Sequence, residues 1–311
     1  HMTNDSSLFR TRDEFLSRGA ETLGNHILED GHRWLPLYED WMIHHFDHRV
    51  KSNGSDDHED ERKVDPTFTV IPRYWVEAGS LPARVADQNW LFAFRNRMRG
   101  TDSRSFIGSV IPRTPVGNVT PTLHSDHNFG WVVPGICSSF IFDFVTRQKV
   151  AGMNMNLFIV KQLPLLSPAQ LDRVDERFGG SGIEWLRSRL LELIFTSWEV
   201  AGFASDADYR GAPFKWDSAR RELLRAEIDA ALFHLYGIRR DDVDYIMDTF
   251  PIVKRKDESA HGEYRTKRLI LERYDALAEA AASGTEYQTV LNPPPADPSC
   301  AHPESTRPEW A

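Results

Sequence analysis

The stretch FIVKQLPLLSP, Phe158 to Pro168, constrains the fold more than any other, because two prolines four residues apart interrupt whatever regular structure enters it. Proline has no backbone N–H for a ladder or a helix interior and pushes the residue before it toward an extended shape, yet it suits the first turn of a helix. FIVK therefore reads as the end of a strand, Pro164 as its stop, and Pro168 as the first turn of a helix over AQLDRVDERF. The patterning differs on the two sides. Before the break, short apolar and β-branched runs alternate with Gly, Pro, Asn and Asp: TFTVIP (67–72), NWLFAFRNRM (89–98), SFIGSVIP (105–112), WVVPG (131–135) and NLFIVKQLP (156–164). One helix is expected among them at SSFIFDFVTRQKV (138–150), capped by Ser138 or Ser139 and followed by Gly152. After the break, apolar residues recur near the helical period. GIEWLRSRLLELIFTSWEVAGF (182–203) does so through Leu186, Leu190, Leu193 and Phe195 or Ser197, and DSARRELLRAEIDAALFHLYG (217–237) through Leu224, Ile228, Ala231 and Leu235. Asp217 reads as the N-cap of the second and Gly237 as its stop. DDVDYIMDTFP (241–251) and GEYRTKRLILERYDALAEAAASG (262–284) continue the helical pattern. The spacing predicts an α+β chain: a β-rich part over 1–166, a helical part over 167–290 and a Pro-rich, poorly structured tail over 291–311.

A chain of 311 residues that is 41% apolar can bury a core and holds one large domain or two modest ones. His1 and Met2 look like a cloning scar, and no apolar run of about 18 residues follows, so neither a signal peptide nor a membrane span is expected. Cys137 and Cys300 are too far apart for a metal motif or a disulfide framework, which fits a reducing compartment and a cytoplasmic location. The net charge of −9 excludes a protein that coats nucleic acid through bulk electrostatics and leaves room only for a local basic patch.

Three motifs invite a chemical reading. HHFDH (44–48) gathers His44, His45, Asp47 and His48, which are metal-ligating types. On a strand, His44, Phe46 and His48 would share one face and His45 and Asp47 the other, so three ligands would not converge, and no metal is expected. The segment that follows, KSNGSDDHEDERKVD (51–65), has six acids against three bases and reads as a solvated loop. FGGSG (178–182) lacks the Lys-Ser/Thr or third spaced Gly of a phosphate loop and reads as a linker between helices. LNPPPADP (291–298) approaches the Asn/Asp-Pro-Pro-aromatic loop of adenine-N6 methyltransferases, whose ring stacks on a flipped base, but Pro295 cannot stack. No Gly-rich strand-to-helix turn for S-adenosylmethionine precedes it, and no nucleophile elbow, P-loop or paired-carboxylate site is present.

What remains is basic and local. If NWLFAFRNRMRG is one strand, Trp90, Phe92, Phe94 and Met98 share a packed face, while Leu91, Ala93, Arg95, Arg97 and Arg99 share the other. Between Arg84 and Arg113 there are six arginines and two aspartates, a net of +4 in a chain of net −9. Such a row can track phosphates or reach base edges, with Arg104, Arg113 and Lys149 adding charge, and with Thr101, Asp102, Asn118, Asn154 and Asn156 as polar readers. It can equally be a solvated edge strand whose charges guard against aggregation, and composition does not separate the two.

The succession RWLPLYEDWMIHHFDHR (33–49), FTVIPRYWV (68–76), FRNRMRGTDSRSFIGSVIPR (94–113), SSFIFDFVTRQKVAGMNMNLFIVKQLPLLSP (138–168) and FHLYGIRRDDVDYIMDTFPIVKRKDESAHGEYRTKRLIL (233–271) resembles the C-terminal region of large bacterial adenine-N6 DNA methyltransferases, the type IIG-like restriction-modification enzymes and the methylases of DISARM-type phage defence. The resemblance covers nearly the whole chain. It implies a target-recognition domain over 1–166, a helical spacer over 167–290, double-stranded DNA as partner and an upstream methyltransferase domain that binds S-adenosylmethionine. Because the catalytic loop and cofactor motif are absent, it also implies a fragment without a cofactor or an activity of its own. A different class stays open: a module that uses the helices after Pro168, including the acidic RRDDVDYIMDTF, to dock another subunit of a defence complex.

Overall fold

The computed structural model describes residues 4–125, 128–150 and 152–311, so His1 and Met2 lie outside the described residues. The chain opens on an antiparallel meander of β1 (Glu21–Leu23), β2 (His26–Glu29) and β3 (His32–Pro36), to which β4 (Trp75–Glu77) adds beside β3. The β2–β3 loop is Asp30-Gly31, both with positive φ (52° and 80°), the mirror-image turn whose twist matches two-residue hairpins. Phe15, Ile27 and Trp75 form a small core against this sheet, and the Trp75 indole N–H donates to the Asn25 carbonyl at 2.6 Å.

A second sheet runs in the order β6 (Gly108–Pro112), β5 (Trp90–Phe94), β7 (Thr122–Leu123), all antiparallel. Its central strand departs from the expected pattern. The alternation holds, but both faces of β5 are core: Phe92 and Phe94 enter the large cluster, and Leu91 and Ala93 enter a second one with Tyr38, Met42, Ile43, Val70, Val85 and Ile111. The strand stops at Phe94, so Arg95, Arg97 and Arg99 are not a row on its face.

Three segments expected to be strands are otherwise. TFTVIP makes no strand, WVVPG starts the helix Val133–Cys137 with Pro134 in its first turn, and LFIV is a helical turn, Leu157–Val160, behind Asn156. A four-residue apolar run does not distinguish strand from helix by periodicity. Here Leu157 and Phe158 face out while Ile159 and Val160 are buried, a pairwise split that a strand cannot produce. Pro168 does begin a helix, capped by Ser167, but it lasts only Pro168–Leu171. The chain then makes β8 (Val174–Asp175), a 3-10 turn (Glu176–Phe178) and β9 (Gly180–Ser181). FGGSG therefore closes a small ladder rather than linking two helices: Gly179 takes φ +66°, and Ser181 caps the helix Gly182–Ile194.

The helical half follows its periodicity. Ser139 caps Phe140–Lys149, accepting from the Phe142 N–H, and Asp217 caps Ser218–Leu235, accepting from the Arg220 N–H. The run over 182–203 is divided, because the helix ends at Ile194 and resumes as Ala201–Asp206. Arg240–Asp248, Pro251–His261 and Arg265–Ser283 complete the set. Ser218–Leu235 is central and packs on Gly182–Ile194, Arg265–Ser283 and Phe140–Lys149. One buried cluster takes in Phe92, Phe106 and Phe142 together with Leu190, Phe233 and Leu277, so the core runs across the expected boundary at 166. The tail is docked rather than loose: Leu291 is buried in the same cluster, Ala301 pairs with Phe214, and the Trp310 ring lies against Gly24. Among the described residues no helix is long and apolar enough to cross a membrane.

Candidate functional site

Of the residues expected to face a ligand, three segments converge. Past the end of β5, the Asn96 N–H donates to the Val119 carbonyl at 2.9 Å, the Met98 N–H to the Met153 carbonyl at 2.7 Å, and the Met155 N–H to the Asn96 carbonyl at 2.6 Å. Arg97 and Asn154 form an isolated antiparallel bridge. This backbone pairing sets the segments that carry Arg97, Arg99, Asn118, Asn154 and Asn156 side by side, all five residues exposed although up to 59 residues apart in the chain, while Asn118 also lines a separate cavity with Leu8, Leu37 and Thr122. The Arg97 and Arg99 side chains reach solvent and make no hydrogen bond or ion pair among the described residues. Thr101 and Asp102 form the turn beside them, with the Asp102 Oδ2 accepting from the Arg99 N–H at 2.9 Å.

The remaining candidates are engaged elsewhere. Arg95 is half-buried and donates through Nε (3.1 Å) and Nη2 (2.5 Å) to the Ile43 carbonyl. Arg104 is buried: its Nε donates to Asp143 Oδ2 at 2.9 Å, its Nη2 to the Ser138 carbonyl at 2.8 Å, and its guanidinium lies 3.9 Å from the Phe140 ring centre. Asp143 is saturated as well, accepting the Ser105 and Phe106 N–H groups. Arg113 donates to the Ala86 carbonyl at 2.7 Å, away from the converged edge, and Lys149 stands exposed at the end of its helix. Of the six arginines in this run, Arg95, Arg104 and Arg113 are thus held by hydrogen bonds, and Arg84, Arg97 and Arg99 are exposed without one among the described residues, Arg84 lying apart from the converged edge.

A second site lies where the sequence promised nothing. HHFDH is not a strand but a tight reversal, His44 N–H to Asp47 O at 2.8 Å and Asp47 N–H to His44 O at 3.0 Å, with Phe46 at φ +57°. A bulky residue rarely takes that conformation and does so only where its surroundings over-determine it. Here they do. Asp47 accepts the Arg49 N–H and the buried Lys63 ammonium, both at 2.8 Å, and Arg221 Nη2 donates to the Phe46 carbonyl at 3.0 Å. The reversal aims His44 and His45 at the helix Ser218–Leu235, where they line a cavity of about 260 Å³ with Arg104, Arg225, Asp229 and Phe140. The same two imidazoles and Arg225 also line a more open cavity of about 410 Å³ that reaches Lys63 and Arg221.

Burial sets the charges. Desolvation, with Arg95 and Arg225 nearby, lowers His44 to about 3, and desolvation with Arg104 holds His45 well below the ordinary imidazole value, so both are neutral at neutral pH. His45 is 6% exposed and neither ring nitrogen has a partner. Asp229 Oδ1 accepts the Phe140 N–H at 2.7 Å, yet burial raises its carboxyl to about 6, against the pull of Arg104 and Arg225. Arg225 is ringed by protein but solvent reaches it through the cavity; burial lowers its pKa, and it has no hydrogen-bond or ion-pair partner among the described residues. Among the described residues no group of three or more His, Cys, Asp or Glu is arranged to hold a metal ion. Sequence reasoning missed Arg225 and Asp229 because both sit inside an ordinary helical pattern. The only signal was their spacing with Arg221, which puts 221, 225 and 229 on one stripe.

No protein-family model matches the chain, and no match to it was found among curated proteins or among solved structures.

Proposed function

We propose that this chain reads DNA for a site-specific adenine-N6 DNA methyltransferase of a restriction-modification or phage-defence system, acting in the cytoplasm beside an upstream domain that carries the catalytic loop and S-adenosylmethionine. On this reading the chain itself performs no chemistry. The observation that supports it is the pairing of the segments that carry Arg97, Arg99, Asn118, Asn154 and Asn156, with both guanidiniums unengaged. Free arginines beside short amides combine a phosphate contact with groups able to reach base edges. The contact is small, since Arg95 and Arg104 are spent on structure, and the isolated chain should bind duplex DNA only at the level of non-specific contact, roughly 10⁻⁴ to 10⁻⁶ M.

Fluorescence anisotropy titrations at several salt concentrations test this. Arg97→Gln with Arg99→Gln should flatten the slope of log affinity on log salt by about 1.8, two phosphates at ~0.9 each. An unchanged slope overturns the reading and favours its rival, the docking of another subunit. One observation favours that rival: Met153, Leu157 and Phe158, on the segment that carries Asn154 and Asn156, are 73%, 51% and 64% exposed, more apolar surface than a solvated loop needs.

A further inference from the structure

The stripe on Ser218–Leu235 carries an electrostatic debt. Arg221 and Arg225 are one turn apart, an arrangement in which like charges destabilise a helix. Arg221 is buried over the Trp216 ring, 3.6 Å from guanidinium to ring centre, and donates only to the carbonyls of Leu193 and Phe46. Arg225 has neither carbonyl nor carboxylate within hydrogen-bonding reach among the described residues. The nearby carboxylates are committed: Asp47 to Lys63 and the Arg49 N–H, Glu222 to Arg265 at 3.0 Å, Asp143 to Arg104, Asp229 to the Phe140 N–H, and Asp257 to the Thr266 N–H at 2.6 Å. Arg225 is exposed to solvent, with its guanidinium 5.9 Å from the Phe46 ring centre and free to take a ligand, while a buried imidazole with both nitrogens idle is costly. Arg225 and His45 open onto the same cavity. The rest of its wall is mixed: Phe46, Phe140, Val253, Leu269 and Ile270 give an apolar flank, and polar and charged groups, Asp257 and His261 among them, line the remainder. A cavity of about 150 Å³ takes one benzene ring. The present one, about 260 Å³, leaves room for a ring and an anionic head.

We propose that this cavity binds a small organic anion, a phosphate monoester or carboxylate borne on a compact, flat apolar body, with the head forked on Arg225 and a polar atom of the ligand against His45. A planar guanidinium matches either head through two parallel hydrogen bonds. The apolar flank of Phe46, Phe140, Val253, Leu269 and Ile270 selects the body over a bare ion. This site is independent of the Arg97–Arg99 edge and stands or falls apart from DNA reading.

Isothermal calorimetry on the full chain with phenyl phosphate, benzoate and inorganic phosphate decides it. Phenyl phosphate or benzoate should bind saturably with one site per chain and at least tenfold more tightly than inorganic phosphate; which of the two is tighter identifies the head. Arg225→Gln should weaken the better probe at least tenfold, His45→Asn should weaken it several-fold, and Arg99→Gln should leave it unchanged. Without ligand, Arg225→Gln should melt close to the wild-type temperature, because the side chain is exposed and makes no hydrogen bond or ion pair among the described residues. Absence of saturable binding by all three probes at millimolar concentration overturns the proposal, as does equal binding by Arg225→Gln. A variant that loses the fold also overturns it, since Arg225 would then be a structural residue.

Discussion

Arg99 and Arg104, five residues apart in one basic run, meet opposite fates. The first is exposed with a free guanidinium; the second is buried on Asp143, beneath the rings of Phe140 and Phe250. Nothing in the local sequence separates them, because depth is decided by a partner 39 residues away, on another element. Their energetics should differ accordingly. Arg104→Gln leaves Asp143 buried with part of its acceptor capacity unmatched and should cost about 3–5 kcal/mol of stability, as for a broken buried pair. Arg99→Gln should stay within ~0.5 kcal/mol, as for an ordinary surface change. Urea unfolding of the two variants checks this, and comparable losses would mean that the pairing of Arg104 is not what anchors the 103–106 segment. The histidines make the same point in reverse. HHFDH announced itself by composition, but the strand alternation assumed for it was replaced by a left-handed Phe46, which a sequence without glycine there does not advertise.

At the level of elements, helices were legible and strands less so. The stripe Leu224, Ile228, Ala231 lies in a helix of 18 residues that is bounded by marked residues, Asp217 before it and Gly237 after it at φ +69°. Asp217→Ala should therefore cost about 1 kcal/mol, the ordinary worth of an N-cap, and Asp217→Asn much less, since the amide oxygen still accepts the Arg220 N–H. Chemical denaturation of both variants measures it; equal losses would place the effect in charge rather than capping. The meander β1–β3 carried a legible signal: Asp30-Gly31 between short runs is a strong hairpin signature, but strands of three to five residues offer little periodicity around it. LFIV and WVVPG failed for another reason. Their apolar and β-branched content suits a strand, but neither finds an edge to pair with, and packing of Ile159, Val160, Ile136 and Cys137 into the large cluster favours a helical turn.

Across the whole molecule the two halves share one core, and burial of ionisable groups in and around it fixes how stability responds to pH. Among the described residues six imidazoles, His26, His44, His45, His58, His234 and His302, are shifted down, in each case first by burial; His26 falls to about 4 and His44 to about 3. Between those values and the unfolded pKa of about 6.5, the unfolded chain holds protons that the native chain does not. Their contribution is therefore complete above pH 6.5 and is lost as pH falls toward the folded values. Two carboxyls act the other way: burial raises Asp229 to about 6 and lifts Glu39, so the native state binds their protons first and gains as pH drops. Six against two leaves the unfolded state with the larger proton uptake between pH 7 and pH 5. Stability should fall on acidification through that window by more than ~1 kcal/mol per pH unit, well above the range where ordinary carboxylates titrate. Urea midpoints at pH 7, 6 and 5 read the slope. Replacing His44 and His45 with Asn should reduce it by up to about 1.4 kcal/mol per pH unit for each imidazole removed. A flat profile in the parent, or one that rises toward pH 5, would mean that these imidazoles take up protons in the folded state and that the cavity they line is wetter than its geometry implies.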